Sequence, residues 1–228
     1  APENTLPAFA LALGQGADGI ELDVQLTRDD EVVVIHDETL ERTTDGHGWV
    51  ADHSLADLRR LDASVGWDGF DGVQIPTLAE VLELARDSDA VVNVELKTDT
   101  IRYRGIEERV LDVVEASGMG DRVAFSSFNH YTLSTLRKLG AAQPLGALVS
   151  ERLFKPWRYV RTLNAAALNP DFKVVNRTLV EKCHARGLAI DVWTVNAPKD
   201  ILRMLALGVD AIMTDAPGHA VALRDGAA

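Results

Sequence analysis

Strand patterns and helix patterns alternate along almost the whole chain, and that alternation most limits what it can fold into. Strand-type segments lie near residues 20, 91, 123, 145, 167, 189 and 211. Between them run segments with the apolar spacing of helices. Repeated units of this kind build a parallel sheet covered by helices, either doubly wound or closed into a (β/α)8 barrel. The chain opens on a helical pattern, and seven strands are one short of a barrel's eight. No G-x-G-x-x-G follows any strand, which weighs against a dinucleotide-binding sheet. The 228 residues, 46% of them hydrophobic, suffice for one large α/β domain. No repeat, low-complexity run or linker divides it.

Local signals place the elements. Thr5 caps a predicted helix over Leu6 to Leu13, which Gly14 to Gly16 end. A strand follows over Ile20 to Thr27. A second, Glu31 to His36, forms a hairpin with it through Arg28 to Asp30. Residues 38–75 are rich in Gly, Asp and Thr, with one short helix predicted over Leu55 to Leu61 and capped by Ser54. Thr77-Leu78-Ala79-Glu80 is a capping-box pattern opening the next helix.

The strand from Gly19 carries an unusual face. Ile20, Leu22, Val24 and Leu26 share one side, and Glu21, Asp23, Gln25 and Thr27 share the other. An isolated E-x-D is ordinarily a solvated surface pair. Val91 to Lys97 repeats the oddity, with Asn93, Glu95 and Lys97 opposite Val92, Val94 and Leu96. In a barrel one face of each strand points inward, so Glu21, Asp23, Glu95 and Lys97 would enter one interior. Three carboxylates in a low-dielectric space repel unless paired or holding a cation. Hard oxygen donors suit Mg²⁺ or Ca²⁺ rather than zinc. His36, at the end of an apolar strand across the hairpin, is a candidate proton donor or acceptor. Lys97 can neutralise a phosphate oxygen. Trp193 has inward parity after Asp191 and can wall a substrate pocket or fill the barrel. His130 reads as a cap or surface residue, and Cys183-His184 lies within a helix.

The net charge of −12 argues against a general binder of nucleic acid or anionic membranes. An acidic protein that handles phosphate needs a metal or local cations. One cysteine, Cys183, excludes an internal disulfide. No apolar run reaches membrane-spanning length. We therefore expect no stable membrane insertion; the composition fits a bacterial cytosol, with secretion left open.

Several stretches together resemble glycerophosphodiester phosphodiesterases. They are Pro2-Glu3-Asn4-Thr5, Ala8-Phe9, Gly16 to Val24, Val34-Ile35-His36-Asp37, Arg42 to Gly46, Ile75-Pro76-Thr77-Leu78 and Val94-Glu95-Leu96-Lys97. Ser126-Ser127-Phe128, Val192 to Asn196 and Thr214-Asp215-Ala216-Pro217 complete the series. The resemblance covers essentially the whole chain, 1–228, in order. It implies a single (β/α)8 TIM-barrel domain with a small insertion after the second strand, at about 38–75. It also implies a divalent cation held by Glu21, Asp23 and Glu95, with His36 and Lys97 as catalytic groups and Lys97 against the substrate phosphate. The family's His-Arg-Gly motif, at the end of its first strand, has no counterpart here. The resemblance thus places that strand, a first catalytic histidine and a phosphate-binding arginine ahead of Ala1. The implied reaction turns a small glycerophosphodiester into glycerol 3-phosphate and an alcohol. Water could attack directly, or the glycerol hydroxyl could first close a cyclic phosphate. A lysophospholipase D or sphingomyelinase D-type enzyme and an inactive phosphodiester-binding barrel are the alternatives.

Overall fold

The computed structural model describes residues 1–226. The elements run α1 (Leu6–Gly14), β1 (Gly19–Leu26), β2 (Val32–Val34), α2 (Leu55–Leu58), α3 (Leu78–Ala85), β3 (Val91–Leu96), α4 (Ile106–Ser117), β4 (Val123–Ser127) and α5 (His130–Lys138). They continue with β5 (Leu145–Val149), α6 (Pro156–Thr162), β6 (Ala167–Pro170), α7 (Arg177–His184), β7 (Ala189–Val192), α8 (Pro198–Leu207), β8 (Ala211–Ile212) and α9 (Pro217–Gly226). The strand order is β2-β1-β3-β4-β5-β6-β7-β8. Only β2 is antiparallel, and the seven parallel strands are the seven legible in the sequence.

Alternation along the strands separates two environments. Leu22, Val24, Val92, Val94, Phe125, Ala147, Leu168, Ile190 and Val192 pack with helix residues such as Leu82, Val110, Leu133, Val160, Val180 and Ile201 in one apolar core. The intervening residues, Glu21, Asp23, Asn93, Glu95, Ser126, Asn169 and Asp191 among them, occupy the opposite, inner face. The sheet curls, and contacts outside its strands link its two ends. Gln15, after α1, accepts a hydrogen bond from the Gly218 amide at 3.0 Å, and Arg224 of α9 pairs with Asp18 at 2.5 Å. Among the described residues no strand joins β8 to β1 directly, so these contacts close the ring around an open seam.

The capping signals hold. Thr5 accepts from the Ala8 amide at 3.4 Å. Ser54 and Thr77 each form a complete capping box, with Asp57 and Glu80. Thr77→Ala therefore costs about 1 kcal/mol, and thermal unfolding followed by circular dichroism should show a Tm about 3 °C lower.

Several elements are shorter than their patterns predict. The second strand covers only Val32–Val34, although the Ile35 amide still donates to Asp23 of β1; on its other side the Val34 amide donates to Pro76, and the His36 carbonyl accepts from the Gln25 side chain. The helix after Ser54 stops at Leu58 rather than Leu61, its last residues held as turns. Strands β7 and β8 are also shorter than their patterns, ending at Val192 and Ile212, although Trp193 keeps a bridge to Asp171 and the Met213 amide still donates to Val192. Residues 38–75 are not a loose loop. Leu40, Val50, Leu58, Ala63 and Ile75 pack with Val33 and Ile35 into a separate small core. That core anchors the segment beside the C-terminal ends of β1 and β3. Among the described residues no helix is long and apolar enough to cross a membrane.

Candidate active site

The register between β1 and β3 assembles the site. Glu21 stands opposite Asn93, and Asp23 opposite Glu95. A period of two on neighbouring parallel strands thus brings Glu21, Asp23 and Glu95 together, with a carboxylate oxygen of each within 4.8 Å of the others. Lys97, just past β3, places its Nζ 3.0 Å from Glu95 Oε1 and 3.7 Å from Asp23 Oδ1. Asp23, Glu95 and Lys97 are all buried.

One cation does not balance three acids. Burial pushes Glu95 up to about 7, helped by the Asp23 carboxylate and opposed by Lys97. Burial also holds Glu21 well above the usual carboxylate range, with Asp23 and Glu95 adding to the shift. Burial acts to lower Lys97, but Glu95 and Asp23 overcome it and raise it. A low-dielectric cluster with this surplus of negative charge is a binding site for positive charge. Its donors are all oxygens, the set a hard divalent cation takes.

Asn4 holds Asp23 in place. Its Nδ2 donates to Asp23 Oδ2 at 2.9 Å, and its Oδ1 accepts from the Asp23 amide at 3.1 Å. Asn4 has φ 54°, a left-handed conformation that asparagine tolerates better than most residues. Sequence reasoning quoted Asn4 only as part of a motif. A signal was present: an asparagine just before a helix N-cap, facing an acidic strand.

His36 is half-exposed at the rim. Its Nδ1 lies 2.6 Å from Asp37 Oδ1, and its Nε2 lies 3.4 Å from Lys97 Nζ. With Nδ1–H donated to Asp37, Nε2 keeps its lone pair toward the lysine. Arg42 binds Asp37 through Nε at 2.6 Å and Glu3 at 2.6 and 2.8 Å. Hydrogen bonding from Arg42 holds Asp37 down to about 2, so it stays ionised behind the imidazole. From below, Gln25 donates to the His36 carbonyl at 2.9 Å and accepts from the Tyr103 hydroxyl. The chain Glu3–Arg42–Asp37–His36 spans the N-terminal segment and the 38–75 insertion. No local pattern reveals it.

Trp193 stands at the mouth on the inner side. Its Nε1 donates to the Asn169 carbonyl at 2.8 Å, and its ring meets Phe128 edge-on with centroids 5.3 Å apart. Phe128 in turn lies 6.0 Å from Lys97 Nζ. These two rings stand beside the lysine on the inner face. Asp191, also inward, does not join the carboxylate group; burial and then Asp210 raise it to about 6. Of the two expectations for His130, cap or surface residue, the cap does not hold, and the side chain is partly exposed. Asn129 caps α5, and His130 bridges Leu148 O at 2.9 Å and the Tyr159 hydroxyl at 2.8 Å.

Comparison with known proteins identifies the family. Residues 1–219 match the model of the glycerophosphoryl diester phosphodiesterase family. A glycerophosphodiester phosphodiesterase of Caldanaerobacter subterraneus subsp. tengcongensis is 44% identical over 217 residues, 95% of this chain and 89% of that protein. Another, from Bacillus altitudinis, is 44% identical over 98% of this chain and 93% of its own. Among solved structures, an Oleispira antarctica phosphodiesterase in complex with the product sn-glycerol-3-phosphate superposes with a TM-score of 0.88 at 30% identity, covering 99% of this chain and 92% of that one. A glycerophosphodiester phosphodiesterase from Agrobacterium tumefaciens superposes at 0.82 with 31% identity, covering 96% and 93%. These neighbours carry the TIM-barrel fold to which the curled sheet corresponds. The chain belongs to the glycerophosphoryl diester phosphodiesterase family.

Proposed function

We propose that this protein hydrolyses a small glycerophosphodiester to glycerol 3-phosphate and an alcohol, as one barrel domain with residues 38–75 as its insertion. The observation that carries the reading is the convergence of Glu21, Asp23 and Glu95 within 4.8 Å, beside a buried lysine and a histidine held by an ionised aspartate. Glu21, Asp23 and Glu95 would hold Mg²⁺ or Ca²⁺. A cation there supplies positive charge that polarises the phosphoryl group.

The remaining roles follow from the side chains. Lys97 stabilises negative charge growing on the phosphoryl oxygens, from a position fixed by Glu95. His36 handles the proton through Nε2, since Nδ1 is engaged by Asp37. In the hydrolysis a water oxygen becomes bonded to phosphorus, directly or after the glycerol hydroxyl has closed a cyclic phosphate, its surplus proton passes to solvent, and the bond to the alcohol oxygen breaks. His36 Nε2, once protonated, gives its proton to that leaving oxygen. Trp193 and Phe128 enclose the diester against Lys97 and exclude water from that side.

The direct test is release of glycerol 3-phosphate from glycerophosphocholine with Mg²⁺, with Ca²⁺ and with chelator. Release that chelator abolishes is expected; equal release with and without chelator would remove the cation from the reading. For His36→Ala we expect turnover to fall about 10²–10⁴-fold, the usual worth of a positioned acid or base. Cation affinity, read by calorimetric titration, stays at the wild-type value, because His36 stands at the rim and is not one of the three carboxylates. Weakened cation binding in that variant would assign the histidine to the metal instead.

A further inference from the structure

The loop after β5 and the start of α6 form a surface unlike the rest of this acidic protein. Residues 151–161 read Glu-Arg-Leu-Phe-Lys-Pro-Trp-Arg-Tyr-Val-Arg, four basic residues and one acid, in a chain of net charge −12. Arg152, Lys155, Arg158 and Arg161 are all exposed, and among the described residues none of them forms an ion pair. Between them stand bare apolar groups. Phe154 is 88% exposed and Leu153 39%. Tyr131, in the first turn of neighbouring α5, is 85% exposed. Tyr159 is tied to that turn through His130. Only Pro156 and Val160 of the segment are buried, and they fasten it to the barrel.

We propose that this basic–aromatic surface docks the protein on an anionic lipid surface. Charge complementarity names the occupant, and the apolar residues decide between polyanions. Phosphate groups satisfy Arg152, Lys155 and Arg158. The Phe154 and Leu153 side chains gain nothing from the sugar–phosphate backbone of a nucleic acid, whereas a headgroup–acyl boundary takes up aromatic and leucine side chains beside cations. Net charge does not oppose this contact. The Asp-rich 38–75 segment stands at the β2 side of the sheet, four strands removed from β5, so its acids and this basic surface sit on different parts of the sheet. The patch follows the C-terminal end of a parallel strand, as do Lys97 and Phe128, so docking turns the mouth of the candidate site toward the lipid. The inference goes beyond the hydrolytic reading and is tested by binding alone.

The test is co-sedimentation of the full chain with vesicles of phosphatidylcholine, and with vesicles of phosphatidylcholine mixed with phosphatidylglycerol. Binding is expected only to the mixed vesicles, falling steeply with added salt. Each cation near such a surface is worth about fivefold in partitioning. Arg152→Glu with Lys155→Glu and Arg158→Glu should therefore abolish binding, and Phe154→Ser should weaken it. Hydrolysis of water-soluble glycerophosphocholine by the same variants should match wild type, which shows that they fold. Wild-type protein left in the supernatant at low salt would overturn the proposal. So would binding unchanged in both variants, or a preference for a random-sequence DNA duplex over the mixed vesicles.

Discussion

Glu95→Gln is expected to lower glycerol 3-phosphate release about a thousandfold while making the cation-free protein more stable at alkaline pH. The loss of activity follows from removing one of three oxygen donors with formal charge. A bound cation supplies several kcal/mol of transition-state stabilisation, and about 4 kcal/mol corresponds to roughly a thousandfold in rate. The gain in stability has a separate cause. Glu95 sits at about 7 in the folded protein against an ordinary 4.5. The folded state therefore holds a proton that the unfolded chain has released, and stability declines as pH rises from 4.5 through 7. Glutamine carries no charge to repel Asp23, so that decline flattens. Melting temperatures in chelator from pH 4 to 9 would read it. Added Mg²⁺ or Ca²⁺ should raise the wild-type Tm and move the variant much less. A variant melting below wild type at pH 8 in chelator would show that Lys97 outweighs carboxylate repulsion.

Lys97→Met should do the opposite to stability. Among the described residues Lys97 is the one cation within 4 Å of the buried carboxylates, 3.0 Å from Glu95 and 3.7 Å from Asp23. Removing it leaves those charges unpaired in a low-dielectric interior, a loss on the order of 3–5 kcal/mol. In a domain of this size that lowers Tm by roughly 10 °C. The deficit should narrow when Mg²⁺ or Ca²⁺ is added, since a divalent cation neutralises the same acids. Activity should remain roughly 10²–10³-fold down even with saturating cation, because the phosphate oxygens have lost a positive group aimed at them. Differential scanning calorimetry with and without cation, beside initial rates, separates the two effects. Full activity in saturating cation would reduce Lys97 to a charge balance.

The two variants bear on what local pattern can disclose. Glu21, Asp23, Glu95 and Lys97 were legible because strand parity has a period of two. Polar groups on the wrong parity of two apolar strands announce an interior site before any fold is known. The helix starts at Thr5, Ser54 and Thr77 were legible because capping is settled within four residues. Elements ended less predictably. The end of the strand within Glu31 to His36 is set by distant partners: Asp23 holds the Ile35 amide, while Pro76 and the Gln25 side chain take the Val34 amide and the His36 carbonyl.

The sequence by itself determined the repeated βα units, the parity of their polar residues, and hence the pool of carboxylates available to an interior. Local periodicity and capping are short-range effects, complete within each segment. Only the tertiary structure decided which groups meet. The β1–β3 register sets Asp23 against Glu95 rather than against Asn93. Asn4 reaches Asp23 across 19 residues, and Glu3 reaches Arg42 across 39. The insertion's own core presents Asp37 and Arg42 behind His36. Those contacts depend on how separate segments pack. Packing is decided by burial of the whole apolar surface at once, which no single stretch of sequence records.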